Sequence, residues 1–214
     1  MKTLTVRKID TVPTAADIPA AFEKAQVSWQ AVDVVDWPEE FPYKPEMVYA
    51  IAYDDDSILI SYRVNEDCIR AEAKADGGRV WEDSCCEFFF QPDDKGYYNI
   101  ECNCAGTLLL AFGSGRNDRE QASAATMALI ERTATLGRGS FGLRHGKFSW
   151  MLNLRIPLKV FFRHHLTSLQ GLTCRANFYK CGDKTVAHFL SWNRVGTPSP
   201  DFHQPKYFGE IKFE

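Results

Sequence analysis

Residues 85–104, CCEFFFQPDDKGYYNIECNC, admit little except a β-hairpin. From residue 97 onward the side chains alternate. Tyr98, Ile100, Cys102 and Cys104 point one way, and Tyr97, Asn99, Glu101 and Asn103 point the other, because successive residues of a strand face opposite sides. Residues 85–91 repeat the pattern, with Cys86, Phe88 and Phe90 set against Glu87 and Gln91. Between them, Pro92-Asp93-Asp94-Lys95-Gly96 has the composition of a five-residue hairpin loop. That loop length sets a register in which Gln91 faces Tyr97, Phe89 faces Asn99 and Glu87 faces Glu101. One side of the hairpin is therefore core. The other carries Glu87, Gln91, Asn99, Glu101 and Asn103.

Strand patterns dominate elsewhere too. Residues 47–53 and 57–64 read as a hairpin closed by Asp54-Asp55-Asp56. Residues 107–112, 147–156, 172–181 and 211–213 read as strands, and 188–192 as a short one. Helical signals are few. Residues 15–24 follow Thr14, with Asp17 at capping-box spacing, and 119–127 and 158–164 each suggest a turn or two. No repeat or linker divides the chain. Many short alternating strands with Gly and Pro punctuation predict an all-β fold: one β-sandwich domain over residues 1–214, jelly-roll-like, with a few short helices. A content of 45% hydrophobic and 13% aromatic residues supplies the core.

The charge balance narrows the partners. Net charge is -3, so no broad basic field attracts nucleic acid or an anionic membrane. No apolar run approaches the ~18 residues of a membrane-spanning helix. Seven cysteines are an odd number, and no paired CxxC knuckles occur among them. They read as reduced, buried thiols. With no apolar leader-like segment at the N-terminus, this points to the cytoplasm, with export as the alternative if the natural chain begins earlier. Metal ligands are not assigned by these spacings.

The polar strand face raises a question of charge. Like charges directly across a strand pair cost a few tenths of a kcal/mol up to about 1, so Glu87 opposite Glu101 calls for a cation, a metal or a hydroxyl-rich ligand. Arg175, Asn177 and Tyr179 share one face of the strand over 172–181, and Arg175 is expected beside the two carboxylates. The competing reading is a wet face with an ordinary ion pair. Two tryptophans favour a ligand. Trp29, Trp37 and Trp150 read as packing, but Trp81 and Trp192 sit at loop edges, where large aromatics serve as rigid anchors. Sugars present apolar C–H faces that stack on rings and hydroxyls that need donors and acceptors. Against this, either tryptophan could instead cap the end of the core.

The stretch from Val80-Trp81-Glu82-Asp83-Ser84 to Phe89, followed by Tyr97-Tyr98-Asn99-Ile100-Glu101-Cys102-Asn103, resembles the carbohydrate-binding module family 9 pattern. The resemblance is strongest to the stand-alone bacterial proteins of that kind. Phe41-Pro42-Tyr43, the run from Arg175 to Asp183, His188-Phe189-Leu190-Ser191-Trp192 and the ending from Pro200 to Gly209 extend the similarity over nearly the whole chain. The resemblance implies a β-sandwich that binds a mono- or oligosaccharide without chemistry, clamping the end unit of a glucan or xylan chain between two tryptophans. By motif, Trp81 and Trp192 would be the clamp, and Glu87, Glu101 and Asn103 the hydroxyl partners. Arg175 and Tyr179 join them on strand phase alone. Structural calcium is found in the family, and Asp54-Asp55-Asp56 and Asp93-Asp94 are acidic loops of suitable chemistry. No other cofactor is required.

Two other functions remain open on the sequence. Glu87 and Glu101 could stand about 5 Å apart, as the carboxyls of a retaining glycosidase do, although adjacent strands put both on one surface. An aromatic rim could also bind a protein. Nucleophilic catalysis is poorly supported, since no histidine falls into a motif with Ser or Cys.

Overall fold

The computed structural model describes all 214 residues. In chain order the strands are β1 (Thr3–Val6), β2 (Gln30–Ala31), β3 (Val34–Val35), β4 (Glu46–Tyr53), β5 (Ser57–Ala71), β6 (Cys85–Asp93), β7 (Gly96–Asn103), β8 (Leu108–Gly115), β9 (Asp118–Gln121), β10 (Glu131–Ala134), β11 (Phe141–Pro157), β12 (Thr173–Cys181), β13 (Phe189–Ser191) and β14 (Gly209–Phe213). Two short helices, α1 (Ile18–Lys24) and α2 (Ala124–Ala128), and three 3₁₀ turns complete the chain.

The strands form a β-sandwich. The larger sheet runs β1-β14-β12-β6-β7-β8-β9, and the smaller runs β10-β11-β5-β4-β2. One edge of β12 is shared. β14 pairs with its first half and β13 with Tyr179–Cys181 at its end, and β13 carries β3 outside it. Alternation decides what each face buries. Cys86, Phe88, Phe90, Tyr98, Ile100 and Cys102 point between the sheets into a core cluster of 40 residues, where they meet Tyr49, Tyr62, Trp150 and Leu152. Each such side chain contributes roughly 1.5–3 kcal/mol by leaving water. Outside the smaller sheet, Ile18 and Phe22 of α1 pack on Ala50, Ala52 and Leu59. They lie four residues apart on one helix face, and the alanines leave them room.

The large sheet's outer face departs from the competing reading of a wet surface. It carries a second apolar layer in which Cys85, Phe89, Tyr97, Leu109, Tyr179 and Cys181 are covered by Trp37, Val80, Val195, Phe202 and Phe208 from loops. Tyr179 stacks on Phe202 with ring centroids 4.1 Å apart.

The predicted register holds where it matters. Glu87 faces Glu101 and Phe89 faces Asn99. The loop itself is tighter than the five residues expected. Asp93 pairs with Gly96, leaving Asp94 and Lys95 to turn, and an irregularity between Phe90 and Asp93 absorbs the difference, so Gln91 has no direct partner at Tyr97. Only the end of residues 119–127 is helical. Asp118–Gln121 pairs with β8, and the helix begins only after Ser123, whose hydroxyl accepts the Thr126 amide. β11 starts six residues before the expected strand, because pairing with β5, not burial, extends it; most of residues 141–149 are exposed. All seven cysteines are buried and unbridged. No helix is long and apolar enough to cross a membrane.

Candidate functional site: a carboxyl-floored cleft

The outer face of the large sheet leaves one gap in its apolar cover. Its floor is made by alternation and register. Glu87 on β6, Glu101 on β7 and Cys181 at the end of β12 point outward side by side, with Tyr179 opposite Glu87 on its other flank. Both carboxyl groups are only 3% exposed. The Cys181 thiol donates to Glu87 Oε1 at 3.0 Å, and Asn99 Nδ2 donates to Glu101 Oε1 at 2.9 Å. Arg119 Nη1 stands 3.8 Å from Glu101 Oε1.

Burial raises both pKa values above the ordinary carboxyl range. For Glu87 the charge of Glu101 adds to the rise, whereas Arg119 and the Asn99 bond hold Glu101 back. Glu87 is thus the partner kept neutral and Glu101 the one that ionises first.

Walls rise from five separate pieces of chain to enclose about 290 Å³. Trp81 stands in the 3₁₀ turn Val80–Glu82. That turn is held by Asp83, whose two oxygens accept from Arg70 Nη1, the amides of Glu72 and Ala73, and Asn103 Nδ2, all at 2.9–3.0 Å. Arg116, Asn117 and Arg119 come from the β8–β9 hairpin, Asp183 follows β12, and Phe189 opens β13. Pro200 to His203 close the far side. His203 Nδ1 lies 2.8 Å from the Tyr97 hydroxyl. Burial, and then the charge of Arg119, bring its pKa down to about 3, so the ring is neutral.

Three expected site residues meet in this cleft: Trp81, Glu87 and Glu101. Four do not line it. Trp192 is 3% exposed and belongs to the core between the sheets, edge-on to Tyr49 and Phe178. The neighbouring Gly209 lies so close that an added Cβ would stand 2.3 Å from the Trp192 ring. It is a packing residue, and its apparent loop-edge position reflects only the shortness of β13. Arg175 faces Gln91, four residues along β6 from Glu87, and donates to the carbonyls of Lys206 and Phe208. Asn103 is spent on the Asp83 carboxylate and on the amides of Ala105 and Thr107. Tyr179 lies beneath Phe202 and donates to its carbonyl at 3.2 Å.

The cation beside the carboxyls is therefore Arg119, from a polar strand whose only sequence signal was a basic residue near a Gly-rich turn. His203, Cys181 and Phe189 were also missed. Nothing local marks them, since long-range pairing brings them to the cleft.

The acidic loop after β4 does not fit a calcium cage. Asp54 accepts the amides of Val12, Asp56 and Ser57, Asp55 pairs with Lys8, and Asp56 pairs with Arg155. At the other loop, Asp93 is engaged by the Lys95 amide and His164.

A two-sheet β-sandwich with an aromatic and carboxyl-lined cleft on the outer face of its larger sheet has the form of a ligand-binding module. The pattern of carbohydrate-binding family 9 matches residues 16–213, and the chain belongs to that family. Three solved structures share the fold. A crystal structure from Bacteroides uniformis ATCC 8492, described as that of a candidate carbohydrate-binding protein, is 43% identical, covers 100% of this chain and 99% of its own, and superposes with a TM-score of 0.96. A family 9 module from Caldicellulosiruptor kristjanssonii in complex with cellotriose is 11% identical, covers 100% of this chain and 94% of its own, and has a TM-score of 0.64. A family 9 module from the same organism in complex with glucose gives 13%, 100%, 96% and 0.55. No curated protein sequence matches the chain significantly.

Proposed function

We propose that this protein binds the terminal unit of a saccharide in the cleft without breaking a bond. The observation that carries the reading is a pair of orphaned polar atoms at an aromatic wall. Glu101 Oε2 and Arg119 Nη1 are buried and have no hydrogen-bond partner, and both residues line the cleft with Trp81. A buried polar group left unpaired costs about 1–3 kcal/mol, and a hydroxyl that donates to one and accepts from the other removes both costs. Trp81 offers its ring to a sugar's C–H face. No second tryptophan lines the cleft, so Phe189 and Pro200 supply the remaining exposed apolar surface and the two-tryptophan clamp is not part of the reading. The volume lies at the small end of ligand pockets, which begin at about 300 Å³, and this favours a single sugar unit. Membership of the family and the saccharide complexes of its relatives support the ligand class.

Glu87 and Glu101 rise from one floor as direct cross-strand partners. A glycosidase needs its carboxyls on either side of the scissile bond, so the geometry favours binding over hydrolysis.

Titration of intrinsic tryptophan fluorescence with mono- and oligosaccharides tests the reading. A saturable change is expected for one sugar class, absent in Trp81→Ala and retained in Arg175→Ala. A flat response across glucose, xylose, mannose, galactose and their oligomers would remove the sugar reading.

A further inference from the structure

Behind the cleft floor, three potential ligand atoms converge that sugar recognition does not account for. Cys85 and Cys181 are direct cross-strand partners on β6 and β12, and Glu87 is the next residue of β6 on the same face. Both sulfurs and a carboxylate oxygen of Glu87 lie within 4.8 Å of one another. Cys181 Sγ and Glu87 Oε1 are 3.0 Å apart. Cys85, Cys181 and Glu87 are 0%, 2% and 3% exposed, yet Cys181 and Glu87 form part of the cleft floor, so the cluster can be reached from it. Across the strand from Glu87, the buried Glu101 Oε2 has no partner. Two thiols and two carboxyl groups are thus gathered in one desolvated place, with Arg116 and Arg119 on the lining.

We propose that Cys85, Cys181 and Glu87 form a site for a thiophilic divalent cation of the zinc class, with its open position toward Glu101 and the cleft. The donor set fits. Zinc takes thiolate sulfur at about 2.3 Å and carboxylate oxygen at about 2.0–2.2 Å, which puts tetrahedral ligand atoms roughly 3.3–3.8 Å apart. Small rotations of the three side chains bring the present separations into that range. Three protein ligands with one position left open is the arrangement of zinc sites that take an exchangeable fourth ligand. Two sulfurs argue against calcium or magnesium, which take oxygen. A disulfide between the cysteines would leave Glu87 without a part, whereas a cation uses it. Binding releases the protons of both thiols, and of Glu87 where it is protonated, to solvent through the cleft. The site does not depend on the sugar reading, although Glu87 belongs to both.

The test is a titration of the full chain, metal-free and kept reduced, with Co²⁺. The expected result is a thiolate-to-cobalt charge-transfer absorption that saturates at one equivalent and is displaced by stoichiometric Zn²⁺. Cys181→Ser should abolish it with an unchanged circular dichroism spectrum. Glu87→Gln should keep the sulfur band and weaken cobalt binding tenfold or more. Absence of the band in the wild type overturns the proposal, as does a band of equal strength in Cys181→Ser. If Cys181→Ser does not fold, wild-type protein decides the matter. Zn²⁺ should then protect Cys85 and Cys181, and not the other five cysteines, from a thiol reagent, and protection of a different pair overturns the site. A sugar response without a cobalt band removes this inference alone, and a cobalt band without a sugar response removes the sugar reading alone.

Discussion

The two faces of the larger sheet are built from the same strands and alternate residues, yet they have opposite character. The inner face is closed by a second sheet. Phe88, Phe90, Tyr98, Ile100 and Phe178 meet a continuous partner surface there. The outer face is closed by loops, and loops cover it incompletely. Phe89, Tyr97 and Tyr179 are sealed beneath Phe202 and Phe208, but Glu87 and Glu101, on the same strands, are buried carboxyls, and Glu101 Oε2 has no partner. A sheet-on-sheet interface has only side chains to match. A loop-covered face also leaves room for polar groups whose hydrogen bonds must be completed by something else. Stability is concentrated on the first face, and the proposed ligand site lies on the second.

The two tryptophans make that division sharpest. Trp192→Ala removes a ring from the inner core and should cost about 3–5 kcal/mol of folding stability, read from the urea midpoint. Asp83→Asn keeps the shape of the knot behind Trp81 but weakens the buried pair with Arg70, whose side chain is 10% exposed. It should cost about 3 kcal/mol and raise proteolytic sensitivity in the turn before it. Trp81→Ala should do the reverse of Trp192→Ala. It should lose at least about 2 kcal/mol of sugar affinity by calorimetry while shifting the unfolding midpoint little, since Trp81 is only half-buried. If the two tryptophan variants behave alike, the division between the faces fails.

The outer face should also announce itself in pH dependence. Glu87 and Glu101 have raised pKa values in the fold, so in the folded state they hold protons that the unfolded chain has released. Their contribution is complete below the ordinary value of 4.5 and is lost as pH rises through the raised values. His203, lowered from 6.5 to about 3, acts in the opposite sense, and stability present above 6.5 is lost as pH falls toward 3. Glu101→Gln should therefore flatten the decline between pH 4.5 and about 7, giving about 1–2 kcal/mol at pH 8 relative to wild type, since one unit of pKa is worth about 1.4 kcal/mol. A steeper decline in that variant would contradict the assignment. The smallest effect belongs to Arg175→Ala. Its bonds to two carbonyls near the surface are worth about 0.5–1 kcal/mol, and sugar titrations should not register it.

Sequence alone could locate the floor of the cleft better than its walls. Glu87 and Glu101 were legible because a short hairpin fixes which residues face one another, even though the turn proved tighter than its composition implied. Trp81 was legible because it breaks from any apolar pattern. Trp192 was misleading for the same reason. It follows a strand of three residues, too short for alternation to declare that Leu190 and Trp192 point inward together. Arg175 shows a different limit. Strand phase gave its face correctly but not its height along the sheet, which depends on where β12 pairs with β6. Arg119 lay beyond reach, because a polar strand held only by pairing with β8 carries no hydrophobic period.

The way the cleft is assembled also bears on how it can change. Its floor belongs to three central strands and cannot be altered without disturbing the sheet. Its walls come from segments well separated along the chain, one of them held by the Asp83 knot. A substitution at Asn117, Asp183 or Asp201 can therefore reshape the opening one side at a time. On the proposed reading, such a layout lets a lineage exchange one saccharide preference for another in small steps while the scaffold beneath it stays fixed, and it offers the same route to directed evolution confined to those rim positions.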